Sequence, residues 1–111
     1  ITVSYPGLKE HPYHEIAAKQ FHGGFGAIIT LRTGSKERAF HILNELKLPW
    51  MVSNIGDTKT LVIHPSSTIA AHLSDEEKEL SGVYDDMIRI SVGIEDIEDL
   101  KEDFRRVIEG E

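Results

Sequence analysis

The sequence predicts a small α+β sandwich, in which one largely antiparallel sheet carries helices packed against it. Three observations point there. Short β-rich apolar runs recur at residues 27–31, 61–63 and 87–92. Apolar residues at helical spacing mark residues 39–47 and 97–108. The 111 residues suffice for one domain with a sizeable core and are too few for two ordinary ones. Helices and strands interleave, but the strands are few and short, so one largely antiparallel sheet with helices packed on it is the economical reading.

Taken in order, Tyr5-Pro6-Gly7 reads as a turn, with proline presetting one φ and glycine free at the next. His11-Pro12 suits a helix start, and Ile16, Ala17, Ala18 and Lys19 carry that helix toward Phe21. Gly23-Gly24-Phe25-Gly26 breaks it ahead of the strand at 27–31. Ser35 is the expected N-cap of a second helix, whose stripe is Ala39, Phe40, Leu43 and Leu46 with Lys47, ending at Leu48-Pro49. Residues 50–52 read as a short strand, Asn54-Ile55-Gly56-Asp57 as a turn, and 61–63 as a strand stopped by His64-Pro65. Ser74 and Glu77 have capping-box spacing, and their short helix ends at Gly82. Residues 87–92 alternate as a strand until Gly93. A long C-terminal helix then presents Ile97, Leu100, Phe104, Val107 and Ile108 on one face, with acidic residues opening it and Arg105 and Arg106 near its end.

Composition excludes several function classes. The chain has no cysteine, so disulfides, thiolate zinc sites, iron–sulfur clusters and cysteine nucleophiles are ruled out. Residues 1–73 hold 7 basic and 5 acidic groups, whereas residues 74–111 hold 5 basic and 14 acidic ones. That acidic excess argues against nucleic acid, which needs a basic stripe. No apolar run reaches membrane-spanning length, so a cytoplasmic protein with no membrane partner is expected. The chain opens on Ile1-Thr2-Val3 without methionine, compatible with tag removal or with excision from a longer polypeptide.

The candidate chemistry is sparse. The Gly23–Gly26 run precedes a strand, the reverse of a dinucleotide fingerprint, and is read as a turn. His11 and His14 lie three apart, and His64 and His72 flank a polar loop. Without thiols or an HExxH pattern, no metal site is assigned to them. Ser66, Ser67 and Thr68 form a hydroxyl cluster without a nucleophile elbow. Arg89 is more informative. Alternation places Ile88, Ile90 and Val92 on one strand face and Met87, Arg89 and Ser91 on the other. Its readings are a solvated strand face, a structural pair with Asp85 or Asp86, or a bidentate carboxylate receptor.

Two long strings carry a resemblance: residues 54–68 followed by His72-Leu73-Ser74, and residues 85–96. With Tyr5-Pro6-Gly7-Leu8, His11-Pro12 and His14 ahead of them, they resemble the C-terminal region of the Cys/Met-metabolism family of pyridoxal-phosphate enzymes. The Asn54–Leu61 stretch looks most like the O-acetylhomoserine sulfhydrylase branch, whereas γ-lyases and cystathionine enzymes more often show serine where Asn54 stands.

This resemblance implies that residues 1–111 form the small C-terminal domain of the aspartate-aminotransferase-like pyridoxal-phosphate enzymes, a single domain whose cofactor-binding large domain lies upstream. It implies an aminocarboxypropyl transfer in methionine and cysteine biosynthesis, exchanging the acetoxy group of O-acetylhomoserine for sulfide or a thiol. It assigns the substrate α-carboxylate to Arg89, with Asn54 and Thr68 beside it, and no catalytic residue to this chain. Pyridoxal phosphate would be held by the large domain and not covalently by this chain, since Lys59 does not match the family's cofactor lysine. The partners implied are that large domain, an amino-acid substrate and a homotetramer. The same scaffold serves methionine γ-lyase, cystathionine γ-synthase and cystathionine γ-lyase. A reading of another class, a free-standing amino-acid-binding regulatory module, would need no cofactor.

Overall fold

Ser35 accepts the Arg38 N–H on its hydroxyl and starts α2 (Lys36–Glu45), as its position before an apolar stripe predicts. The computed structural model describes residues 1–110. Its elements run β1 (Thr2–Ser4), α1 (His14–Gln20), β2 (Ile28–Arg32), α2, β3 (Trp50–Met51), β4 (Leu61–Ile63), a 3₁₀ turn (Pro65–Ser67), α3 (Asp75–Leu80), β5 (Met87–Ser91) and α4 (Ile97–Glu109). The strands form one sheet in the order β1-β2-β5-β4-β3. All neighbours are antiparallel except β3 with β4. The expected fold class, a mostly antiparallel sheet packed against helices, is the one observed.

One sheet face carries the core. Leu31, Val62, Ile88 and Ile90 from the strands meet Ala39, Ile42 and Leu43 of α2 and Val107 of α4. Phe104 and Ile108 pack around them. Because β5 lies in the middle of the sheet, its alternation sends Ile88 and Ile90 into this core and turns Arg89 and Ser91 to the opposite face.

Several expectations shift. The strand β1 has no signal in the sequence: it is three exposed residues, held by ladder bonds to β2 and not by burial. The first helix begins at His14 and not at Pro12, because Leu8, His11 and His14 are joined by successive tight turns first. In α2 Ile42, absent from the expected stripe, is fully buried together with Ala39, whereas Leu46 has left the helix as its C-cap. In α4, Ile97 is 59% exposed, because the helix meets the core only from Leu100 onward. The Ser74–Glu77 capping box is present as read, and Gly82 follows α3 with φ near +73°.

Asp103 of α4 ties the helical layer together. Nearly buried, it accepts the Lys47 and Leu48 N–H groups at 2.9 and 2.8 Å and a guanidinium N–H of Arg106 at 2.7 Å. Burial pushes its carboxyl up, but those donors outweigh burial and hold it below the ordinary carboxylate value. Asp86, also partly desolvated, is lowered by Arg32 and the Gly34 N–H. A folded-state value below the unfolded one means that the unfolded chain binds more protons between the two. The stabilisation is therefore complete above the ordinary carboxylate range, about pH 4, and is lost as pH falls through the folded values. Melting temperature should stay level from neutral pH to about pH 5 and drop steeply below about pH 4. Asp103→Asn should flatten that drop, as thermal melts across pH would record.

Candidate functional site

Arg89 stands at the centre of the sheet, opposite Thr30 on β2 and Ile63 on β4. Its sequence suggested pairing with Asp85 or Asp86, and the structure corrects this. Asp85 accepts the Ser66 hydroxyl at 2.5 Å. Asp86 accepts Arg32 Nε at 2.6 Å and the Gly34 N–H at 3.0 Å. Among the described residues Arg89 forms no ion pair, and its one hydrogen bond runs from Nη2 to the Ser53 carbonyl at 2.7 Å. Arg89, half-buried as a residue, is thus left without an anion among the described residues, with four of its five N–H groups unengaged there.

The loop that meets Arg89 is residues 52–58, between β3 and β4. Gly56, at φ near +76°, turns it so that its N–H reaches the buried Ser91 hydroxyl at 3.0 Å. Asp57 closes the next turn by accepting the Lys59 N–H at 3.0 Å and the Thr58 hydroxyl at 3.2 Å. These bonds, the Lys59 amide first, lower its pKa. The Ile94 N–H donates to the Thr58 carbonyl at 2.8 Å, and the buried Thr60 is held by Glu95 through both its N–H, at 2.9 Å, and its hydroxyl, at 2.7 Å. Burial raises the Glu95 carboxyl, but the Thr60 donors bring it below its ordinary value. Asn54 is exposed at the tip, and its side-chain amide makes no hydrogen bond among the described residues. Arg89 and the Asn54 loop are therefore brought together, through the Ser53 carbonyl.

Thr68 is on a different support. Its hydroxyl donates to the His64 carbonyl at 2.7 Å, and it makes no hydrogen bond to Arg89 or Asn54 among the described residues. His64, 3% exposed, is fixed by the Ser67 hydroxyl at Nδ1 (2.7 Å) and the Asp85 carbonyl at Nε2 (2.6 Å), with its ring tilted against Phe40. Ser66 also accepts from Lys78 Nζ at 3.2 Å. The hydroxyl cluster at 66–68 thus rivets the 3₁₀ turn to the approach of β5.

The other sequence candidates have local duties. His11 lies before α1 and accepts the Tyr13 N–H, so it does not share a helix face with His14. His14 meets the Pro6 carbonyl at 2.7 Å and stacks on Phe25 at 5.2 Å. Gly23 and Gly26 take positive φ in an open turn. Lys59 Nζ stands 4.9 Å over the Trp50 ring, and its charge helps to lower the Glu95 carboxyl. Among the described residues no helix is long and apolar enough to cross a membrane. Sequence reasoning passed over Ser53 and Ser91. Ser53 acts through its backbone and leaves no signal, whereas Ser91 was marked only by sharing a strand face with Arg89.

The class of protein is thus an α+β domain, a mixed sheet backed by two helices, with a central arginine that forms no ion pair among the described residues beneath a turn-rich loop. The chain belongs to the Cys/Met metabolism PLP-dependent enzyme family, whose model matches residues 1–109. It is 45% identical to O-acetyl-L-homoserine sulfhydrylase 1 of Thermus thermophilus over 107 residues, covering 96% of this chain and 25% of that protein. It is 43% identical to an L-methionine gamma-lyase of Fusobacterium nucleatum, covering 96% and 27%. A Campylobacter jejuni crystal structure assigned as an O-acetylhomoserine (thiol)-lyase superposes with a TM-score of 0.92 at 34% identity, covering 98% of this chain and 26% of that one. That structure holds a pyridoxyl-lysine monophosphate. The chain therefore spans about a quarter of the length of these relatives.

Proposed function

We propose that the chain is the C-terminal domain of a pyridoxal-phosphate-dependent O-acetylhomoserine sulfhydrylase and supplies its substrate-carboxylate recognition. The observation that carries this is Arg89, half-buried in mid-sheet and without an anionic partner among the described residues. A planar fork of N–H donors suits both oxygens of an amino-acid carboxylate. In this proposal Asn54 extends the donor set from the loop tip, and Thr68, whose hydroxyl donates to the His64 carbonyl, stands at the edge of the same sequence motif. Identity to the Thermus sulfhydrylase supports the reading. The similar identity to a methionine γ-lyase supports the second one, the same domain in a lyase.

Pyridoxal phosphate, when bound by the large domain, supplies the electron sink for the reaction. In this proposal the residues of this chain meet the substrate and the large domain holds the cofactor, while Lys59 rests against Trp50. The role of this chain is to bind and orient, with Arg89 holding the carboxylate so that the amino group and side chain of the substrate face the large domain. The assembled enzyme is a cytoplasmic homotetramer in this proposal, and residues 1–111 alone are inactive.

Assaying the full-length enzyme that carries this segment separates the two readings. Homocysteine formed from O-acetyl-L-homoserine and sulfide, with little breakdown of L-methionine, is expected, and the reverse pattern would favour the lyase. A second outcome concerns the isolated chain. Incubation with pyridoxal phosphate and borohydride reduction should give no selective pyridoxyl adduct on Lys59 by mass spectrometry, and a stoichiometric adduct there would contradict the assignment.

A further inference from the structure

Ser91 stands two residues past Arg89 on the same face of β5 and is 1% exposed, opposite Ile28 on one side and Leu61 on the other. The bond from the Gly56 N–H to Ser91 Oγ and the bond from Arg89 to the Ser53 carbonyl bracket Asn54 and Ile55. The loop is thereby tied to one strand at two points, on residues that share a face. A guanidinium held by a carbonyl on one nitrogen keeps its other N–H groups for a planar anion. Rotamer freedom already given up in the free protein is not lost again on binding.

Resting on the carboxylate reading of Arg89, we infer that Ser91 is a positioning residue for substrate. It fixes the 53–57 loop so that the Ser53 carbonyl orients the Arg89 guanidinium, and it acts on the substrate only through Arg89. The Ser91 hydroxyl is walled in by neighbouring strands and does not touch the ligand.

The test uses the full-length enzyme, with O-acetyl-L-homoserine or L-methionine, whichever it turns over. Ser91→Ala should raise KM for the amino acid about five- to twentyfold, the size of one or two lost hydrogen bonds, with kcat within about twofold. Ser91→Thr keeps the hydroxyl and should recover most of the loss. Hydrogen exchange at the Gly56 amide should quicken in Ser91→Ala and not in Ser91→Thr. In an Arg89→Ala background, Ser91→Ala should leave KM where Arg89→Ala put it. A Ser91→Ala effect of equal size with and without Arg89 would overturn the inference, as would unchanged protection at Gly56. So would a fall in kcat and melting temperature with KM intact, which marks a purely structural serine. If Arg89→Ala alone left KM unchanged, the carboxylate reading would fail first and the positioning role with it.

Discussion

Arg89→Ala in the full-length enzyme is expected to remove roughly 2–5 kcal/mol of substrate binding or transition-state stabilisation, read as a fall in kcat/KM. Arg89 is half-buried in mid-sheet, and no carboxylate among the described residues competes for it. Arg89→Lys should recover only part of the loss. An ammonium is a point charge that cannot hold the Ser53 carbonyl and both oxygens of a substrate in one plane. Stability should hardly change, since the only protein contact given up is one bond to an exposed loop carbonyl. Steady-state kinetics beside thermal melts decide the matter. A variant with near-native kcat/KM, or one that unfolds, would make Arg89 a structural residue.

Gly93→Ala is expected to be the most destabilising single-methyl change in the chain, by about 2–4 kcal/mol. A Cβ there would overlap three backbone atoms of the neighbouring segment: the Thr58 carbonyl oxygen, the Lys59 carbonyl carbon and the Thr60 nitrogen. None belongs to a flexible side-chain tip, so the 58–60 segment or the end of β5 must move. That movement breaks the Gly93 N–H bond to the Thr60 hydroxyl at 2.9 Å and the Ile94 bond to Thr58. For a chain of this size the melting temperature should fall by roughly 10 °C or more. Because Thr58 ends the loop that meets Arg89, substrate KM should rise in the same variant. A melting temperature within about 2 °C of the parent would show that the crossing has slack.

Much of this architecture is legible in the residues. The capping signals at Ser35 and Ser74 and the glycine at 82 each act within a few residues of chain and operate as read, whereas α2 ends at Glu45, ahead of the stop expected at Leu48-Pro49. The alternation in β5 assigns Ile88 and Ile90 to the core because strand geometry leaves no other choice. Family membership, too, was visible in the ordered strings at 54–68 and 85–96.

What local pattern does not carry is partnership between distant residues. Whether Arg89 pairs with Asp85 or stays open depends on Ser66 and Arg32 reaching those carboxylates first, from 19 and 54 residues away. β1 exists because β2 offers it hydrogen bonds, and Ile97 stays exposed because α4 meets the core one turn later. Asp103 reads as one more acidic residue on a charged helix until the fold brings two backbone amides to it. The residue types, caps and periodicity follow from nearest-neighbour chemistry, which the linear order of the chain contains. Which cation is left without a carboxylate is a competition across the sheet, and it is settled only when all the strands are in place.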